Sequence, residues 1–338
     1  MRKIIFSSLI TFGSILLSSC MILMQPFSGS IDDELERAID LGFDGIIVYV
    51  NQSGESSYYS AGWNNRENLI PADPHLLFKI ASISKLYIAA ATTMMVADDA
   101  LSLDDTVAEL LPAIAGRIDY SDEITLRMLI QHRSGIPDYT DHPDYPWDDL
   151  IKVNSDTLQY FLDRPALFKP GRRYSYSNSN YFLIGEILDD ALGYSHHMYI
   201  ENEILIPLGL NNTYNLLSEV DIDDVMSGYL IGYEPDIKDA EFIQPGGSMV
   251  ATAEDVGIFL RALIDGTLLT DEEQAIYSSV YEYEHTGWLP GFTSIARYQS
   301  DIDAVVIQFV NTSGGELFWL DLERVYKRII KTLEWGQR

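Results

Sequence analysis

The sequence is nearly free of cysteine: among 338 residues there is one, Cys20. A single thiol closes no internal disulfide and builds no cysteine-ligated metal cluster. Basic residues are also scarce, with 22 Lys and Arg against 51 Asp and Glu and a formal charge of −29. So acidic a surface repels phosphate backbones and anionic headgroups, which argues against nucleic acid as a partner and against recruitment to a membrane by charge. No internal repeat or low-complexity tract breaks the chain. Beyond the N-terminal segment no uninterrupted apolar run reaches the length of about 18 residues needed to cross a bilayer. What is present is ordinary for a globular protein: 47% hydrophobic residues and 12% aromatic ones, including 21 Tyr, which argue against disorder. The length suits one large domain or two intimate lobes.

The position of the lone cysteine is informative. Arg2 and Lys3 precede an uncharged apolar run from Ile4 to Leu17, closed by Leu17-Ser18-Ser19-Cys20. This is a signal-peptide layout. Leu-Ser-Ser-Cys resembles the bacterial lipoprotein box, which implies removal of residues 1–19, a lipid on Cys20 and attachment to a membrane through that lipid. An uncleaved anchor or an ordinary secretory signal are the alternatives, since apolar residues continue through Met24. All three place the folded part outside the cytoplasm. Cleavage removes Arg2 and Lys3 and takes the charge to −31. Residues 20–30, with Pro26 and Gly29, read as a tether, and 31–338 as a single domain.

The domain opens with helical spacing over Ile31–Leu41, where Leu35, Ala38 and Ile39 share a face. A β-branched run, Gly45 to Val50, and a returning strand, Ser57 to Ala61, flank the turn Asn51-Gln52-Ser53-Gly54. A second strand pair is expected at 293–298 and 304–310, with Ser300 and Asp301 between. A helix then runs from Leu317 to Trp335 with core positions Leu320, Leu322, Val325, Ile329 and Leu333. Between these ends, segments near 123–132, 155–163, 178–192 and 196–205 are helical in pattern. The expected fold is mixed α/β (α+β): an antiparallel sheet built from both chain ends and flanked by helices, with a mostly helical lobe at about 121–240.

Three short stretches carry chemistry. Ser82-Ile83-Ser84-Lys85 leads into a strongly helix-forming run, Leu86 to Asp98, which puts Lys85 one turn after Ser82 on the same face. Serine is a weak nucleophile until a base takes its proton, and an amine at i+3 reaches it when it is neutral. A helix N-terminus disfavours ammonium and stabilises a developing oxyanion. The bland alternative makes Ser82 a helix cap and Lys85 a solvated charge. Tyr174 to Tyr181 is a polar, aromatic loop opening a helix and contains Tyr176-Ser177-Asn178. Its phenol and amide can face one pocket, and a phenol beside an ammonium has a lowered pKa and shuttles protons; caps and turn bonds are the alternative. His285-Thr286-Gly287-Trp288 precedes a Pro290-Gly291 turn and reads otherwise as a strand end.

The ordered set Ser-x-x-Lys, Tyr-Ser-Asn and His-Thr-Gly resembles the serine β-lactamase/penicillin-binding superfamily. It looks most like the branch of class C β-lactamases, D-alanyl-D-alanine carboxypeptidases and related esterases. The similarity runs from about Gly45 to Trp335 and includes three connectors: Leu129 to Tyr139, Pro207 to Leu210, and Gly246 to Asp255. It implies a β-lactamase/transpeptidase-like fold. It also implies Ser82 as the acylated nucleophile, Lys85 as an acceptor of its proton and Tyr176 as general base and proton shuttle. Asn178 would bind substrate, and His285, Thr286 and Gly287 would line the cleft opposite. The backbone N–H groups of Ser82 and Trp288 would form the oxyanion hole, in which one such donor is worth about 100-fold to 1000-fold in rate. Class C enzymes usually carry Lys-Thr-Gly in the third motif; His285 supplies a weaker fixed charge for a substrate carboxylate and points toward carboxypeptidases and esterases.

No Gly-x-Ser-x-Gly elbow is present, which disfavours an α/β-hydrolase. His196 and His197 are expected to point in different directions on a helix, and His132 and His142 to be structural. Asp221-Asp223-Asp224 and Asp271-Glu272-Glu273 read as solvated surface, so no metal is expected. The expected activity is cofactor-free hydrolysis of a small amide or ester through an acyl-enzyme, with a D-amino-acid peptide favoured. An esterase or weak β-lactamase, and a non-catalytic penicillin-binding lipoprotein, are the rival expectations.

Overall fold

In a computed structural model of the chain, residues 29–147 and 156–336 are described. Cys20, the signal segment and most of the tether lie outside them. Helix α1 (Ile31–Asp40) precedes strands β1 (Gly45–Gln52) and β2 (Glu55–Asn65). These strands run further than the sequence pattern indicates because the turn needs two residues. Ser53 and Gly54, at φ 51° and 86°, are both left-handed, as the tightest hairpin turns require. Asn51 and Gln52 therefore stay in the ladder, paired with Ser56 and Glu55.

Strands β9 (Phe292–Gln299) and β10 (Ala304–Val310) return from the far end of the chain, and β10 pairs antiparallel with β1, Ile46 opposite Val310. With the short β3 (Ile70–Pro71) and β8 (Glu284–Leu289) at the edges, the order is β3-β2-β1-β10-β9-β8. The sheet is thus built from both termini, as expected. All seven residues of β10 are buried, which requires cover on both faces. Ile46, Val48 and Val306 pack with α1 and the terminal helix; Ile47, Tyr49 and Ile307 face the main core. Leu320 is corrected here: it is 59% exposed. The buried stripe of the helix at Glu316–Gly336 is Phe318, Leu322, Val325, Ile329 and Thr332, and Leu320 lies two residues, about 200°, around from Leu322. Leu333 is half-buried at its margin.

The middle of the chain covers the inner face. Helix α2 (Ser84–Ala97) is buried around its circumference from Ser84 to Met95. Short α3 (Leu126–Ile130) and the long α4 (Asn178–Leu192) fall where the pattern put them, and α4 stops at left-handed Gly193. Of the helix expected near 155–163, the described residues form only a 3-10 turn, Thr157–Tyr160. Helix α5 (His196–Ile200) continues through a π turn, Glu201–Leu205. Two helices of ten or more residues escaped the sequence pattern: α6 (Ala253–Asp265), packed on β1 and β10, and α7 (Asp271–Val280), packed on α2. The acids at 271–273 belong to the first turn of α7, where Glu273 closes a capping box with Thr270. Helix α8 (Glu316–Gly336) ends the fold. Two-residue strands knit the lobe to the sheet: β4 (Phe78–Lys79), β5 (Thr213–Tyr214) and β7 (Val250–Ala251) in the order β4-β7-β5, and β6 (Tyr229–Leu230) parallel to β11 (Thr312–Ser313).

Candidate active site

The turn of the expected nucleophile, Ala81–Ile83, links β4 to α2. Ala81 is left-handed at φ 52°, a conformation that costs a non-glycine residue about 1–2 kcal/mol. Neighbours hold it: Ser84 donates to Ala81 O at 2.6 Å, and Ser294 to Ile80 O at 3.1 Å. Ser82 is not a helix cap. Its Oγ accepts from Lys85 Nζ at 3.1 Å and from the Tyr176 hydroxyl at 2.9 Å.

Lys85 is buried rather than solvated. Nζ also donates to Asn178 Oδ1 at 2.9 Å and Gly246 O at 2.8 Å, so an ammonium has three acceptors. Burial nevertheless pushes its pKa down to about 7, against the partial opposition of Asp138. At neutral pH much of Lys85 is a free amine, whose lone pair can face the Ser82 hydroxyl. Gly246 is left-handed at φ 77°, and a Cβ there would stand 2.9 Å from Lys85 Cγ; glycine lets this carbonyl reach the amine.

Tyr176 lies flat on the His132 ring, with centroids 4.4 Å apart. The expectation that a neighbouring ammonium lowers the phenol fails: burial dominates and pushes its pKa up, so Tyr176 rests as a neutral phenol. His132 has the structural role expected of it, although it is buried beneath the site. Its Nδ1 accepts from Ser177 N–H at 3.2 Å, and burial pushes its pKa down to about 3. His142 accepts from Asp144 N–H in a surface loop.

Asn178 opens α4, where first-turn N–H groups lack helical acceptors. Asp138 Oδ2 takes both its backbone N–H and its Nδ2 at 3.0 Å, while Asp138 Oδ1 accepts the N–H and hydroxyl of Thr140, both at 2.9 Å. That carboxylate fixes the amide with its oxygen toward Lys85. Asp138 is the functional residue that motif reasoning missed, although it stands in the connector Leu129 to Tyr139. A signal existed in an acid placed directly after Gly-Ile-Pro, but nothing local reveals that it is buried.

The third motif forms the sheet-edge strand β8. A Cβ on Gly287 would sit 2.5 Å from Ile80 O and 2.2 Å from Ser294 Oγ. Its role is close approach: only glycine lets β8 press against the nucleophile turn. Pro290-Gly291 joins Leu289 to Phe292 as a two-residue turn with Gly291 at φ 83°. Ladder bonds alternate from the closing pair, so Trp288, opposite Thr293, directs its N–H off the free edge of the sheet. His285 Nδ1 pairs with Thr286 O, a carbonyl that can only accept, so Nδ1 carries the proton and Nε2 presents a lone pair. Burial and nearby Lys85 push the His285 pKa down to about 3.

Two cavities flank Ser82. One of about 130 Å³ includes Ser82 itself and is walled by Tyr139, Tyr145, Trp147, Phe242 and Trp288. The other, about 650 Å³, lies beyond Tyr176, His285 and Thr286. Elsewhere, the His196 and His197 rings meet edge to face at 4.3 Å rather than diverging, and His196 Nδ1 bonds Asp189 at 2.8 Å. Among the described residues no cluster of His, Cys, Asp and Glu is arranged to hold a metal, and Asp221, Asp223 and Asp224 are exposed. No described helix is long and apolar enough to cross a membrane.

Comparison with known proteins agrees with this geometry. The Beta-lactamase family model matches residues 31–282. Penicillin-binding protein 4* of Bacillus subtilis (strain 168) is 29% identical over 209 residues, 60% of this chain and 44% of that protein. A β-lactamase of Pseudomonas fluorescens is 28% identical over 190 residues, 55% of this chain and 49% of its own length. The chain therefore spans about half the length of these curated relatives. Among solved structures, the D-amino acid amidase from Ochrobactrum anthropi SV3 complexed with L-phenylalanine superposes with a TM-score of 0.78 at 21% identity, covering 91% of this chain and 99% of that one. At that identity the likeness concerns the fold.

Proposed function

The chain belongs to the β-lactamase family, and from that premise we propose that it is a serine hydrolase that cleaves a small amide or ester through an acyl-enzyme at Ser82, with a D-amino-acid amide or peptide as substrate. One observation carries the reading: Lys85 Nζ and the Tyr176 hydroxyl both contact Ser82 Oγ, at 3.1 and 2.9 Å, where Gly287 lets the edge strand press against the same turn.

In acylation the neutral Lys85 amine takes the Ser82 proton as Oγ bonds to the substrate carbonyl carbon. The N–H groups of Ser82 and Trp288 receive the negative charge on oxygen. The bond to the leaving group then breaks, and the leaving atom takes a proton from Tyr176, which is re-protonated from the Lys85 ammonium. Deacylation reverses the roles. Water gives a proton to the regenerated base as it attacks the ester, and Ser82 Oγ departs with a proton. A neutral phenol whose pKa is raised suits Tyr176 to relaying a proton rather than to resting as a base. Because the leaving atom must lie within reach of Tyr176, the leaving group occupies the larger cavity. The acyl substituent occupies the aromatic one, which suits an apolar side chain.

The D-peptide preference is supported by that aromatic pocket and by the likeness to a D-amino acid amidase. A fluorophosphonate or penicillin-type probe is expected to label Ser82, and Ser82→Ala to abolish turnover. A panel of D-peptide, short acyl ester and chromogenic β-lactam ranks the substrates. Native protein that resists both probes and hydrolyses none of the three overturns the proposal; stoichiometric labelling without turnover assigns a penicillin-binding sensor instead. We further propose an extracytoplasmic, lipid-anchored location, supported by Leu17-Ser18-Ser19-Cys20. Incorporation of labelled fatty acid, lost in Cys20→Ala, tests it.

A further inference from the structure

We infer that the leaving-group cavity selects an uncharged leaving group that donates a hydrogen bond, an amine or amide nitrogen, over one that carries a free carboxylate. This rests on the hydrolase reading above and divides its substrate class: the enzyme acts as an amidase or on blocked peptides, not as a carboxypeptidase.

The argument is an account of the charges that line the cavity. His285 holds the wall nearest Tyr176, and with Nδ1–H committed to Thr286 O its free Nε2 is an acceptor. A carboxylate there meets a lone pair, whereas an N–H meets a partner. Arg297 also lines the cavity, but its guanidinium is engaged: it donates to both oxygens of Glu323, at 2.9 and 2.6 Å, and Glu284 lies 3.6 Å from its Nε. Such a bidentate pair leaves little field for a second anion. Arg133 lines the cavity too, but it is exposed, as are Glu282 and Glu284, and water screens it. His132 is neutral, and its Nδ1 is turned to Ser177 N–H. Lys85, also nearby, has its protons directed at Ser82, Asn178 and Gly246. Among the described residues the cavity thus presents an acceptor, phenols and balanced charge, and no unengaged buried cation.

The test uses N-acetyl-D-phenylalanyl-D-alanine and its C-terminal N-methylamide, which differ in that one charge. Turnover of each and protection of Ser82 from a fluorophosphonate are measured on the intact protein. The expected result is kcat/KM, or protection, greater for the N-methylamide by about tenfold or more. His285→Lys is expected to narrow or reverse that ratio, and Glu284→Gln to narrow it less. Equal or better use of the free acid overturns the inference, as does labelling that neither compound slows when neither is turned over. A free-acid preference that disappears in Arg133→Gln also overturns it, by assigning carboxylate recognition to Arg133. Failure of the parent reading is distinct: Ser82 then takes no fluorophosphonate at all.

Discussion

Two buried lysines stand six residues apart on either side of the nucleophile turn, and burial pushes both down to about 7. Lys79 points to the back of the lobe. Nζ donates to Ala240 O and lies over the Phe292 ring at 5.0 Å, in the field of Asp236, Asp239 and Glu241. Lys85 points to the cleft and contacts Ser82 Oγ. Perturbed titration by itself nominates both as functional. Geometry separates them: one amine has a hydroxyl to deprotonate and a phenol to exchange with, and the other has carbonyls and aromatic faces. Lys79 is best understood as a pin for the loop at 236–247, which supplies Gly246 O and part of the aromatic pocket.

The sharpest way to break this contrast is substitution. Lys85→Ala is expected to slow acylation by about 100-fold to 10 000-fold, as removal of a proton acceptor does. Lys79→Met is expected to stay within about tenfold of the native rate, through loop placement. Single-turnover acylation with a chromogenic ester measures both; comparable losses would erase the distinction. The pH profile comes next. Lys85 must be neutral to accept a proton, so kcat/KM should fall about tenfold per unit below an apparent pKa near 7 and level off above it. Lys79→Met should keep that limb, and its disappearance would move the titration to the other lysine.

Asp138→Asn probes the link from Asp138 through Asn178 to Lys85. The carboxylate favours the ammonium, so its loss should move the acid limb to lower pH, by at most about one unit. A fall in kcat is expected with it as Asn178 loosens; an unmoved limb would make Asp138 purely structural. Stability should depend on pH as well. Both folded-state lysines titrate near 7 against 10.5 when unfolded, so between these values the unfolded chain binds more protons and stability rises with pH. Thermal melts from pH 7.5 to 9.5 should show a rising Tm, with a shallower slope in Lys79→Met. An unchanged slope would mean that Lys79 is not depressed.

Legibility followed locality. The β1–β2 hairpin, the β9–β10 pair, α4 and the terminal helix are visible as periodicity because each buries a repeating face of its own. Leu320 was misplaced because a leucine-rich helix offers more apolar positions than one stripe can use. Helices α6 and α7 were missed although both carry caps, Thr252 and the Thr270–Glu273 box. In a sequence so rich in acids, a capping Glu looks like solvated surface. His132 and Asp138 were readable as residues but not as supports, since a stacking platform and a buried carboxylate are defined by what lies across from them.

The sequence by itself determined that Lys85 stands one helical turn beyond Ser82, because that depends on spacing along one element. Only the tertiary structure decided that Tyr176 reaches Ser82 across 94 residues and that Asp138 orients Asn178 across 40. It alone decided that burial lowers Lys85 to about 7, that the phenol is raised, and that His285 commits Nδ1 to Thr286 O and keeps Nε2 as an acceptor. The physical reason is desolvation. Whether an ionisable group keeps its charge depends on how completely other parts of the chain exclude water from it, and no local pattern encodes that.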